Sequence, residues 1–219
     1  MALFALTIFT GAFLLFQVQP VIARIILPWF GGTAAVWTTC MLFFQAVLVL
    51  GYAYAHEVTR RWTLRQQAVR HGALLLVAVL TLPILPGESW NPTTPDHPAA
   101  KILLLLAGNV GLPYLVLATT GPLLQAWYVR TREGAVPYRL FALSNLGSML
   151  ALLSYPPLVE PYLPTRVQAY AWSGAFAVFA LLCGLAAYAT VRRALPDRLR
   201  HSVGPWVFLD HFGPFRVKP

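Results

Sequence analysis

The chain has 219 residues, 58% of them hydrophobic and only 11% charged, with a mean hydropathy of +0.64 and a formal net charge of +9. That balance excludes an ordinary water-soluble domain. The charge needs no nucleic acid to explain it, because the basic residues sit in short loops between apolar stretches, where arginines set topology and meet anionic headgroups.

A helix needs about 20 mostly apolar residues to cross roughly 30 Å of hydrocarbon. Six stretches meet that length, at roughly 3–27, 34–56, 70–86, 100–126, 139–160 and 166–191. The fold class expected is therefore all-α: six transmembrane helices over residues 1–192, then a basic tail over 193–219 with no fold of its own. The amino-terminal stretch lacks a basic leader and stays apolar well past Phe16, so it reads as a retained span rather than a cleaved signal.

The first stretch carries a polar break, Gln17-Val18-Gln19-Pro20, followed by Arg24. The second holds Gln45, expected to face the bundle interior as hydrogen-bonding glue, and ends at His56 and Glu57, an interfacial cap. Arg60, Arg61, Arg65 and Arg70 follow before the third stretch. The loop from Pro86 to Pro98 is proline-rich, and the proline after Asn91 rules out a glycosylation sequon.

In the fourth stretch Asn109 lies between Gly108 and Gly111, and Thr119-Thr120-Gly121-Pro122 with Gln125 forms a second polar break. Ser144, Asn145, Gly147 and Ser148 mark the fifth, in a spacing that permits close helix approach. Glu160 lies near the same end of the bundle as Arg24, which allows an ion pair between them. Cys40 and Cys183 fall at different depths, so neither a disulfide nor a metal site is indicated.

Arg130, Arg132 and Arg139 join the fourth and fifth stretches, and Arg192, Arg193, Arg198, Arg200, Arg216 and Lys218 follow the sixth. Against these stand Arg24, Lys101 and Arg166 at the other end. The positive-inside bias places both termini in the cytoplasm.

Polar groups in hydrocarbon are costly and mark either helix packing or a ligand pathway. Both readings are open for Gln17, Gln19, Pro20, Arg24, Asn109, Thr119, Thr120, Pro122, Gln125 and Asn145. The breaks at Pro20 and Pro122 each fall about 20 residues after their helix begins; in a 3 + 3 inverted repeat the two helices would be equivalent, but counted from each start the breaks fall toward opposite faces, which kinks that aid packing explain equally. No phosphate loop, metal-protease, CxxC or nucleophile-elbow motif is present, and no catalytic residue, metal site or cofactor is expected.

Four long segments carry a resemblance: FLLFQVQPVIARIILPWFGGTAAVWTTCMLFFQAVLVLGYAYAH (Phe13 to His56), LPYLVLATTGPLLQAWYVR (Leu112 to Arg130), PYRLFALSNLGSMLALLSYPPLVEPYL (Pro137 to Leu163) and the stretch from Arg166 to Cys183. Together they resemble the membrane domain of bacterial fused major-facilitator-type/spermidine synthase proteins. The resemblance implies a place in the bacterial inner membrane, half of a major-facilitator fold and a role in polyamine or small-cation handling, transporter-like, with a homodimer or another half completing the pathway. Alternatively it implies a membrane anchor or regulatory module for a separate soluble synthase-like domain. The aminopropyltransferase domain of that family has no counterpart here, so no enzymatic activity is carried over.

The tail, RALPDRLRHSVGPWVFLDHFGPFRVKP (Arg193 to Pro219), resembles the opening of pirin proteins. That family's iron ligands lie downstream of the matched stretch, so His211 is not expected to bind metal.

Overall fold

A computed structural model describes residues 1–91, 97–131 and 138–193; the pirin-like tail and the loop arginine Arg132 lie outside these. Six long helices and no strand are found among the described residues: α1 (Ala2–Phe30), α2 (Ala34–Arg61), α3 (Leu64–Leu80), α4 (Pro98–Thr131), α5 (Tyr138–Val159) and α6 (Thr165–Arg193). Five of them are long and apolar enough to cross a membrane; α3 is not.

The third helix corrects its expected bounds at both ends. It starts before Arg70 because Thr63 and Gln66 close a capping box: the Gln66 N–H donates to the Thr63 hydroxyl at 3.3 Å, and the Thr63 N–H donates to Gln66 Oε1 at 3.0 Å. It stops at Leu80 because Pro83 cannot continue the ladder. The helix thereby gains Arg65 and loses the apolar Leu82 to Leu85, which run on as an extended strap. The strap's Ile84 is fully buried and donates its N–H to the Ser173 hydroxyl of α6 at 3.3 Å.

Prolines shape the other helices. In α4 the ladder widens to a π turn over Ala107–Gly111, just ahead of Pro113, which has no N–H to give the Asn109 carbonyl. In α5 the last turn, Tyr155–Val159, is π as well: Pro156 and Pro157 supply no donors, and Glu160 N–H reaches back to Tyr155 O at 2.9 Å. Helix α1 closes on Gly31 at φ 82°, whose N–H donates to Leu27 O at 2.8 Å, a left-handed cap suited to glycine.

The helices pack as a row with two more behind it. Helix α5 lies against α1, α1 against α4, and α4 against α2; behind them α6 contacts α1 and α4, and α3 contacts α4 and α6. Two glycines set the closest approaches. A Cβ on Gly51 of α2 would lie 2.6 Å from Ala118 Cβ of α4, and one on Gly147 of α5 would lie 2.8 Å from the Phe9 carbonyl oxygen of α1. Leu14, Val18, Ile22, Tyr114, Phe176 and Phe179 fill the interior. Outside, Leu42, Val49, Leu80, Leu153 and Leu181 are more than half exposed, an apolar exterior that water would not tolerate and a bilayer would.

Gln45 departs from its expected place. It is exposed on α2, on the face that carries Met41 and Val49, because the opposite face supplies Phe44 and Gly51 to the bundle.

Candidate functional site

Polar side chains inside the bundle form two networks. The first joins α3 to α4. Gln67, fully buried, donates Nε2 to the Trp62 carbonyl at 2.7 Å and accepts the indole N–H of Trp127 on Oε1 at 2.8 Å. One turn on, His71 Nε2 lies 3.0 Å from the Thr120 hydroxyl, and that hydroxyl donates to Val116 O at 2.6 Å.

A hydroxyl has one proton, and Thr120 gives its own to Val116. The His71 nitrogen must therefore be the donor, which assigns the Nε2–H tautomer and leaves Nδ1 buried without a partner among the described residues. Of this group the sequence singled out Thr120 alone. A third helix starting at residue 70 put Gln67 in a loop and His71 at a helix end; the Thr63–Gln66 capping box was the signal that moves both inside.

The second network joins α1, α5 and α6. The Tyr155 hydroxyl lies 3.0 Å from Gln168 Oε1 and 3.3 Å from the Pro20 carbonyl, and Gln168 Nε2 donates to Leu163 O at 2.8 Å. The Trp172 indole donates to Leu14 O at 3.0 Å. Nearby, Arg24 Nη1 bonds the Glu160 carbonyl and lies 3.8 Å from its carboxylate, the pairing expected from their shared end of the bundle. Tyr155→Phe removes the hydroxyl and leaves the buried Gln168 oxygen unpaired; we expect a loss of about 1–2 kcal/mol in reversible unfolding in mixed micelles.

The ten residues read from the sequence are spread over these networks and beyond them. Pro20 and Arg24 belong to the second, Thr120 to the first. Gln19 Nε2 donates to Tyr114 OH at 3.3 Å, tying α1 to α4. Thr119 is buried and bonds back to Leu115 O at 2.7 Å, and Asn109 bonds back to Leu105 O at 2.9 Å. Gln17, Pro122 and Gln125 are half-buried and Asn145 is exposed.

At the end of the bundle where α1 finishes and α6 begins, a cavity of about 620 Å³ lies beneath the strap and its 3₁₀ turn, Glu88–Trp90. Arg24, Trp29, Glu88 and Arg166 line it. Among the described residues no cluster of three or more histidine, cysteine or acidic side chains could hold a metal, and Cys40 and Cys183 are buried free thiols. No protein-family model, characterised protein or solved structure matches the chain.

Proposed function

We propose that the chain is a transporter-like domain of the bacterial inner membrane. Six spans form a 3 + 3 inverted repeat resembling half of a major-facilitator fold, both termini are cytoplasmic, and a second copy completes the pathway. One observation carries the reading: Gln67 on α3 and Gln168 on α6 make the same anchor about a hundred residues apart. Each donates Nε2 to the carbonyl five residues back and accepts on Oε1 from an aromatic side chain of a neighbouring helix.

The helix packing supports an exchange of α1 with α4, α2 with α5 and α3 with α6, although the aromatic partners of the two anchors, Trp127 on α4 and Tyr155 on α5, do not follow it. The exchange carries the α1–α5 contact into α4–α2 and the α1–α6 contact into α4–α3. Gly51 then corresponds in role to Gly147, and Pro20 to Pro122. Paired breaks at repeat-related positions are the sequence mark of a transporter site.

Gln17, Pro20 and Arg24 on α1 and Pro122 and Gln125 on α4 are partly exposed. The flanking helices α2 and α5 expose Gln45 and Asn145 within their spans. An amide facing hydrocarbon gains from a hydrogen-bonding partner on another helix, and two amides serve each other as donor and acceptor. This favours the second copy over the anchor reading, in which the arginine-rich loops would hold a soluble synthase-like domain.

The test uses the full chain in liposomes, with labelled polyamines and monovalent cations as solutes. Gln19→Ala and Thr120→Val should lose uptake while inserting normally. Gln45→Leu combined with Asn145→Leu should weaken dimers about tenfold, the equivalent of two interhelical hydrogen bonds in lipid. Unchanged uptake in the first pair would leave those residues a packing role, and no uptake in any variant or the parent would favour the anchor.

A further inference from the structure

We propose that the cavity between α1, the strap and α6 is a binding site for an amino-phosphate: a phosphate group with an amine a few atoms away, as in an ethanolamine-type headgroup. The site rests on the membrane orientation proposed above, which puts it at the outer interface, level with Trp29. It needs neither transport nor dimerisation.

Three charged side chains define the chemistry. Arg24 is held through Nη1 by Glu160, and its side chain lines the cavity. Arg166 and Glu88 line the same cavity and have no ion-pair partner among the described residues. Two guanidiniums match the oxygens of a phosphate, which accepts paired N–H donors more readily than any neutral group. The Glu88 carboxylate, which lines the same cavity, supplies the complement for a cation; a ligand carrying phosphate alone would leave it beside like charge.

The remaining lining is mixed, with Asn91 and Thr165 adding polar groups beside apolar ones. Pro28 and Trp29 of α1 line the cavity with Leu85 of the strap. At about 620 Å³ the space is in the range of small-molecule sites. A ligand there presents its charges to the arginines and Glu88 and its hydrocarbon to Trp29.

Two sources share this chemistry, a phosphatidylethanolamine headgroup and a free phosphoethanolamine, and native mass spectrometry of the full chain separates them. The chain is released from nanodiscs containing equal parts phosphatidylethanolamine, phosphatidylglycerol and phosphatidylcholine. A lipid site retains phosphatidylethanolamine in preference to both others and is not emptied by added phosphoethanolamine. A solute site binds phosphoethanolamine in lipid-free detergent and releases it to excess ligand.

In either case Arg166→Gln, an exposed position whose loss leaves the fold intact, should weaken retention about tenfold, as expected for a charge-assisted bond. Glu88→Gln should erase the preference for the amine over phosphatidylglycerol. Equal retention of all three lipids with no binding of phosphoethanolamine overturns the proposal, as does a parent-like result for Arg166→Gln. The same spectra count subunits, so a monomer that keeps its amino-phosphate refutes the dimer and spares the site.

Discussion

Trp127→Ala should be the most destabilising single substitution in the bundle, by about 3–5 kcal/mol, read as the shift in reversible unfolding of the purified chain in mixed micelles. Trp127 is fully buried and is the largest side chain in the cluster with Ile8, Leu123 and Leu124. Its removal opens a cavity that α3 and α4 are too constrained to refill, since Gln67 and His71 fix α3 against α4 on either side of it. Trp127→Phe divides the effect. It keeps most of the volume and deletes the indole N–H, so the cost of an unpaired Gln67 oxygen alone, about 1–3 kcal/mol, remains. If the phenylalanine variant is as stable as the parent, the Gln67 anchor contributes nothing to the bundle.

Valine at Gly51 or Gly147 should cost about 1–3 kcal/mol each, and the two costs should be alike. At Gly51 the added carbon meets Ala118 Cβ at 2.6 Å with α4 backbone behind it at 3.3 Å; at Gly147 it meets the Phe9 carbonyl at 2.8 Å and the Phe13 nitrogen at 3.4 Å. Backbone cannot rotate aside as a side chain can, so each substitution pushes one helix of the row outward. Gly72→Ala and Gly184→Ala serve as controls. Nothing lies within 4 Å of a Cβ at either position, and alanine should stabilise the helix by up to about 1 kcal/mol. A neutral Gly147→Val alongside a costly Gly51→Val would remove the equivalence of the α1–α5 and α2–α4 contacts.

The sequence read well wherever a signal was local and apolar. Five helices followed from runs of apolar residues, and the role of Gly147 in close packing followed from its small, polar neighbours Ser144 and Ser148. It read poorly where hydrophobicity and hydrogen bonding disagree. Helix α3 mixes Arg65, Arg70 and His71 with a short apolar run, and its ends are fixed by a capping box and a proline that a hydropathy window averages away.

Facing was the other weakness. Gln45 and Asn145 are polar residues on apolar helices, and the expectation that such groups turn inward failed for Gln45. Which face a helix turns inward depends on where its glycine lies, and for α2 that is Gly51. The pairings of the buried anchors Gln67 and Gln168 were illegible because each is defined by a side chain on another helix, 60 and 13 residues away, and by a backbone carbonyl, which leave no motif in the sequence.

The short, arginine-bearing α3 has a consequence for how the chain is made. A segment of 17 residues that holds Arg65, Arg70 and His71 gains too little from hydrocarbon to leave the insertion machinery by itself. Arg70 stacks on Trp62 with its guanidinium 3.5 Å from the ring centroid, which keeps that charge at the interface, but the partners that neutralise the polarity of Gln67 and His71 reside on α4, which is synthesised later. In the six-span arrangement proposed above, α3 would enter the bilayer as a hairpin with α4, once Thr120 and Trp127 have emerged, rather than as a helix of its own.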